Sequence, residues 1–107
     1  MIDKTMVLCK LRHKHPLVDP LDAIFPTEID PFDYYAMHKM IDAKLKDVKS
    51  LNLYVTGLSP ALVAVLNYCT YYSISCTLWH FNKLTGLYVK QGTMTTISRG
   101  VTRRYTI

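Results

Sequence analysis

Apolar positions in this chain come in short strand-like blocks separated by stretches of helical period. Thr5 to Leu11, TMVLCKL, is a compact apolar run with β-branched and sulfur side chains, and it predicts a buried strand. From Arg12 to Asp30 the chain carries Pro16, Pro20 and Pro26 and keeps no sustained period. That predicts a loop long for a compact domain, one that serves function, covers something or hides a helical turn. Asp30 and Pro31 then supply an N-cap and a first-turn proline. Tyr34, Met37, Ile41, Leu45 and Val48 recur at intervals of three or four, so an amphipathic helix is expected up to Lys49. LNLYV, residues 51–55, predicts a second strand.

A turn, Thr56-Gly57-Leu58-Ser59, leads into a helix from Pro60 to about Tyr72, with Ser59 placed to cap it and Pro60 at its first position. That helix is apolar on nearly every face, which predicts cover on more than one side, from the sheet and from another subunit. SCTLWHF, residues 75–81, predicts a third strand, and NKLTG a turn into a fourth, LYVKQ, pairing back as a hairpin. The order of elements predicts a small Rossmann-like α/β domain of two or three layers, mainly parallel with an antiparallel C-terminal hairpin strand. Residues 1–91 form the expected ligand-binding domain, and residues 92–107 a basic arm or edge strand.

Composition narrows this picture. A chain of 107 residues, 50% hydrophobic, is expected to bury one core without staples. Cys9, Cys69 and Cys76 lie inside apolar runs and fit neither a zinc spacing nor a secreted disulfide framework, so they read as core thiols. Asp3, Lys4 and Lys10 interrupt the N-terminal segment where a signal peptide needs an apolar core, and no run approaches a membrane span. A cytoplasmic protein without membrane contact is the expectation. The net charge of +5 is unevenly spread: all eight Asp and Glu lie at or before Asp47, and none follows. The acid-free half suggests an anionic partner such as a nucleotide, a phosphate group or nucleic acid, against the plainer reading of a solubilising surface.

In a parallel sheet, ligands bind beyond the carboxyl ends of the strands. Three segments are expected there: Arg12 to His15, Thr56 to Ser59 and His80 to Lys83. Gly57 permits close approach of a ligand, and the first-turn amides of the following helix favour an anion. The hydroxyls of Thr56 and Ser59 would add hydrogen bonds, unless the turn merely makes the corner. Arg12 and Lys14 could hold phosphate, while His13 or His15 moves a proton as a ribose hydroxyl attacks phosphorus, if the loop is not simply solvated. The His-x-His pair has no local third ligand, and neither a metal nor another cofactor is expected. Alternation places His80 with Leu78 and Asn82 on one face of its strand and Trp79 with Phe81 on the other. His80 is a further catalytic candidate, and Asn82 and Lys83 are ligand-binding candidates. Trp79 could stack an adenine or serve the core.

LNLYVTGLSPALVAVLNYC followed by ISCTLWHFNKLTGLYV resembles the second half of the CRISPR-associated Rossmann fold, the CARF domain, in which a strand ends in a Thr-Gly motif that opens a buried helix. The family motif is commonly Thr-Gly-Gly-Thr-Lys. Thr56 and Gly57 match it and Ser59 is conservative, whereas Leu58 stands for Gly and Pro60 for the phosphate-binding Lys. The likeness covers residues 51–91. It implies a homodimer with a cyclic oligoadenylate messenger across the two-fold axis and the Thr-Gly turns cradling phosphate; relatives called ring nucleases cut that messenger without metal. Together the residues and the resemblance lead to an expectation of cyclic oligonucleotide binding, with or without cleavage, in antiviral defence. Two other readings stay open: a basic DNA- or RNA-binding module, and an assembly subunit that uses helix 60–72.

Overall fold

The structure is a computed structural model that describes residues 2–11, 15–57, 59–97 and 102–106. Its elements are β1 (Ile2–Cys9), β2 (Asp22–Phe25), α1 (Tyr34–Leu45), β3 (Val48–Tyr54), α2 (Ser59–Tyr71), β4 (Ser75–Asn82), β5 (Leu87–Ile97) and β6 (Thr102–Thr106). They build one six-stranded sheet in the order β2-β1-β3-β4-β5-β6. The first four strands of that order run parallel, and β4-β5 and β5-β6 are antiparallel. The α/β, Rossmann-like class read from the sequence is therefore the class observed.

The two helices touch each other and share one core, so the domain has two layers. α1 buries Met37, Ile41 and Leu45, the i, i+4, i+8 stripe of its period. α2 buries Ala61, Val65, Tyr68 and Cys69. Both pack on the sheet face formed by Met6, Leu8, Leu51, Leu53, Cys76 and Leu78, all nearly fully buried. The three cysteines are buried thiols within this packing.

Three details of the sequence reading are corrected. The helix expected up to Lys49 ends at Leu45, and Val48, read as part of its stripe, opens β3 instead. The segment from Arg12 to Asp30 is not a continuous loop: Asp22–Phe25 is an edge strand pairing with β1. Four residues between Pro20 and Pro26 are too few to display a period, and the Ile24-Phe25 pair passes as part of a loop. The cap of α1 is Asp33, whose carboxylate accepts from the Ala36 N–H at 3.0 Å. Asp30 instead closes a preceding turn by accepting from the Phe32 N–H, and so Tyr34 at the helix start is 64% exposed, off the core stripe.

α2 stops at a left-handed Ser73 (φ 57°), with the Ile74 N–H returning to the Cys69 carbonyl and the Ser73 N–H to Thr70. Buried Ile74 completes this closure and aims the chain into β4. β5 runs through position 91 to Ile97, and β6 pairs with it as the outer strand, Thr95 opposite Arg104 and Thr96 opposite Arg103. Among the described residues no helix is long and apolar enough to cross a membrane.

Among the described residues no helix lies on the second sheet face. Strand alternation puts Asn52, Tyr54, Thr77, Trp79, Phe81 and Tyr88 there, and they are half-buried or, for Phe81, 39% exposed. Part of the connection from β1 to β2 runs along its carboxyl end, where the His15 ring meets Phe81 and Tyr88 edge-on at 5.0 and 5.8 Å between centroids.

Candidate functional site: the carboxyl edge and the open sheet face

The Thr-Gly corner is first a joint between strands. The Thr56 hydroxyl accepts from the Cys9 N–H at 3.0 Å and donates to the Cys9 carbonyl at 2.5 Å. Only 7% exposed, it closes the end of β1 onto the end of β3 where the ladder itself has stopped. Gly57 has φ 83°, a left-handed value, and a Cβ added to it would sit 2.7 Å from Cys9 Sγ. The corner thus needs glycine both for its backbone and for the closeness of β1. This corrects the expectation that the Thr56 side chain is free to receive phosphate, because both its hydrogen-bonding roles are already used.

Gly57 itself is exposed, at the mouth of a depression of about 490 Å³ beyond the strand ends. Lys10 and Glu28 supply its charge, and Leu11, Thr27 and Ile29 complete the wall. Ser59 is exposed as the first residue of α2, whose first turn holds no acid. Leu58, Arg12, His13 and Lys14 lie outside the described residues, so their expected roles have no geometry here.

The remaining candidates do not gather at that depression. His15 sits in a turn, its N–H donating to the Asp19 carboxylate at 2.9 Å and its ring on the open face. Its Nδ1 is buried without a hydrogen-bond partner among the described residues. His80 lies on the helix side of β4, opposite Val89, and its Nε2 meets the side-chain oxygen of Gln91. His15 and His80 thus stand on opposite sides of the sheet, which separates two of the three catalytic candidates. Asn82 holds the hairpin turn, its side-chain oxygen accepting from the Leu84 N–H at 2.9 Å and its carbonyl from the Gly86 N–H at 2.8 Å. Lys83 is exposed within the same turn.

Two features escaped the sequence reading as sites. The first is the aromatic group of the open face. Tyr54 stacks on Trp79 with 8° between ring planes, and Tyr88 stands edge-on to both Tyr54 and Phe81. Trp79 Nε1 donates to Asn52 at 3.3 Å. Burial, and then the neighbouring Tyr54, push the Tyr88 phenol above its ordinary pKa. Alternation of Trp79 and Phe81 along β4 announced the face, but not that Tyr54, Tyr88 and His15 converge on it. The second is a groove of about 990 Å³ between α1 and α2, walled by Tyr34, His38, Val63, Asn67, Tyr71 and Tyr72. At its base Tyr68 donates to the Asp42 carboxylate at 2.7 Å; burial foremost, then this bond, raise the Tyr68 phenol well above its usual range. Spacing of Tyr34 and His38 by one helical turn was the available signal. Among the described residues no three metal-binding side chains cluster.

Comparison with known proteins returned no matching family model, no matching curated protein and no matching solved structure.

Proposed function

We propose that this chain binds a phosphate-bearing nucleotide at the carboxyl edge of its parallel strands, with a cyclic oligoadenylate as the ligand to which the Thr-Gly resemblance points. One observation carries this reading: left-handed Gly57 is exposed at the mouth of the depression beyond β1 and β3. A glycine there lets a ligand approach the backbone, and the following helix start favours negative charge. Thr56 supports the site by fixing the corner, and Lys10 contributes the cation that Pro60 does not. Binding without cleavage is the form proposed, because His15 and His80 stand on opposite sides of the sheet.

The test is a thermal-shift and calorimetric titration of the full chain with cyclic oligoadenylates of several ring sizes, with linear oligoadenylates and mononucleotides alongside, and chromatography for linear products. The expected result is a ligand-dependent rise in Tm that Lys10→Glu weakens, with no product. Absence of binding by every nucleotide would remove the reading, and linear products would turn it into a nuclease.

A second reading, an assembly subunit, is favoured by the exposure of Val63 (54%) and Tyr71 (79%) on α2. Mass measurement across a concentration series, with Val63→Glu as comparison, decides it.

A further inference from the structure

The open sheet face goes beyond the edge site. Its rings are held by one another: Tyr54 against Trp79 at 5.6 Å, Tyr88 against Tyr54 at 4.9 Å and against Phe81 at 5.4 Å, and His15 against Phe81 at 5.0 Å between centroids. Such mutual contact fixes rotamers before any guest arrives, which lowers the ordering cost of binding. None of Tyr54, Trp79, Phe81 and Tyr88 is fully buried. Beside them on the same face lie uncharged hydrogen-bonding groups: Asn52, and Thr77 with Thr93, whose hydroxyls meet at 2.7 Å.

Charge selects the guest. β3, β4, β5 and β6 contain no Asp or Glu, since the last acid of the chain is Asp47. Lys49, Lys90, Arg103 and Arg104 stand in those strands, and Lys83 in the turn between β4 and β5. Lys90 is exposed and pairs across the ladder with Trp79, which puts a cation next to the stacked rings. A second copy of the chain would bring the same cations and no carboxylates from this half of the sheet. A neutral ligand would use the rings but gain nothing from the charge. Aromatic π-faces on strands that carry cations and no acid suit unpaired bases on a phosphate backbone. We infer that the open face formed by β3, β4 and β5 binds single-stranded nucleic acid, with bases stacking on Phe81 and Tyr88 and phosphates passing Lys90.

Trp79 is the single tryptophan, so its fluorescence reports directly on the proposed surface. The full chain is titrated with oligo(rU), oligo(rA) and oligo(dT) strands about 12 nucleotides long, and with a duplex of equal length, at low and raised salt. Expected are quenching of Trp79 by single strands, weaker binding of the duplex, and affinity that falls as salt rises. Phe81→Ala and Tyr88→Ala should each weaken single-strand binding by roughly 5- to 150-fold. Phe81→Tyr, which keeps the ring, should bind nearly as wild type, and Lys90→Glu should lower the affinity and flatten its salt dependence.

Preference among the three strands would tell RNA from DNA. No single-strand binding at low salt would overturn the inference, as would Ala variants that fold and bind unchanged. A dimer that Phe81→Ala dissolves would assign the face to a second copy instead. Should an Ala variant fail to fold, the wild-type quenching and Lys90→Glu still decide. The edge site stands or falls with free nucleotides and Lys10→Glu, so either reading can fail without the other.

Discussion

The two faces of one sheet are built from alternate residues of the same strands, and they differ in nearly everything else. Toward the helices β3 and β4 present Leu51, Leu53, Cys76 and Leu78, each 3% exposed or less. Toward the other side the same two strands present Asn52, Tyr54, Thr77 and Trp79, all half-buried. A parallel sheet is usually covered on both faces, and its strands then read as unbroken apolar runs. Here the described helices cover only one face, and the strands alternate as those of a one-sided sheet do. Fully buried apolar side chains are concentrated on the helix side, while the open side carries half-buried rings and hydroxyls.

The largest test of this contrast substitutes neighbouring positions on opposite faces. Leu53→Ala should cost about 2–5 kcal/mol, because it removes a fully buried side chain from a core with little room to collapse. Thr77→Ala should cost about 0.2–1 kcal/mol, the loss of one cross-strand pair with Thr93. Chemical denaturation of both variants measures the difference. Equal losses would mean that the open face is as much a core as the other.

A middle-sized effect is expected where the two faces meet at the carboxyl edge. Thr56→Val keeps the shape of the side chain but removes the hydroxyl that serves the Cys9 N–H and carbonyl. The cost should be about 1–3 kcal/mol, the penalty for stranding buried backbone groups. If Thr56 is a structural joint, as its bonds indicate, nucleotide affinity measured on the folded variant should change little. A large loss of affinity without a loss of stability would return Thr56 to the ligand.

How much of this was legible follows from the length of each signal. The stripe Met37, Ile41, Leu45 spans just over two turns and announced α1, and the Ser59-Pro60 start announced α2. β2 was missed because four residues carry no period, and with it went the true sheet order, in which the chain leaves β1, forms the outer strand and crosses back to β3. At the site, Gly57 could be read as a special position, since few residues tolerate such a corner. Whether the Thr56 hydroxyl faces a ligand or Cys9 could not, because residues 9 and 56 are brought together only by the β1-β3 pairing. His15 shows the same limit: sequence places it beside His13, while the fold places its ring against Phe81 and Tyr88.

The smallest effect lies at the β2 edge, on the exposed link between this late-recognised strand and α1. Lys44 Nζ sits 3.0 Å from Asp22 Oδ2 and 3.2 Å from Oδ1, with the two side chains 38% and 63% exposed. The hydrogen bond from Lys44, set against a smaller opposing cost of burial, holds the Asp22 carboxyl below its ordinary value of 3.8. A carboxyl depressed in the folded state adds stability above its unfolded pKa and loses it as pH falls through the folded one. Lys44→Met should therefore cost up to about 1 kcal/mol near neutral pH, a figure kept small by solvent screening. At acid pH, once Asp22 is protonated in both proteins, this difference should close. The bond from Lys4 Nζ to the Lys44 carbonyl uses the backbone and survives the substitution. Thermal melts of the two proteins across that pH range give the answer: a gap that persists in acid would assign the loss to the packing of the Lys44 stem against β2 and not to its charge.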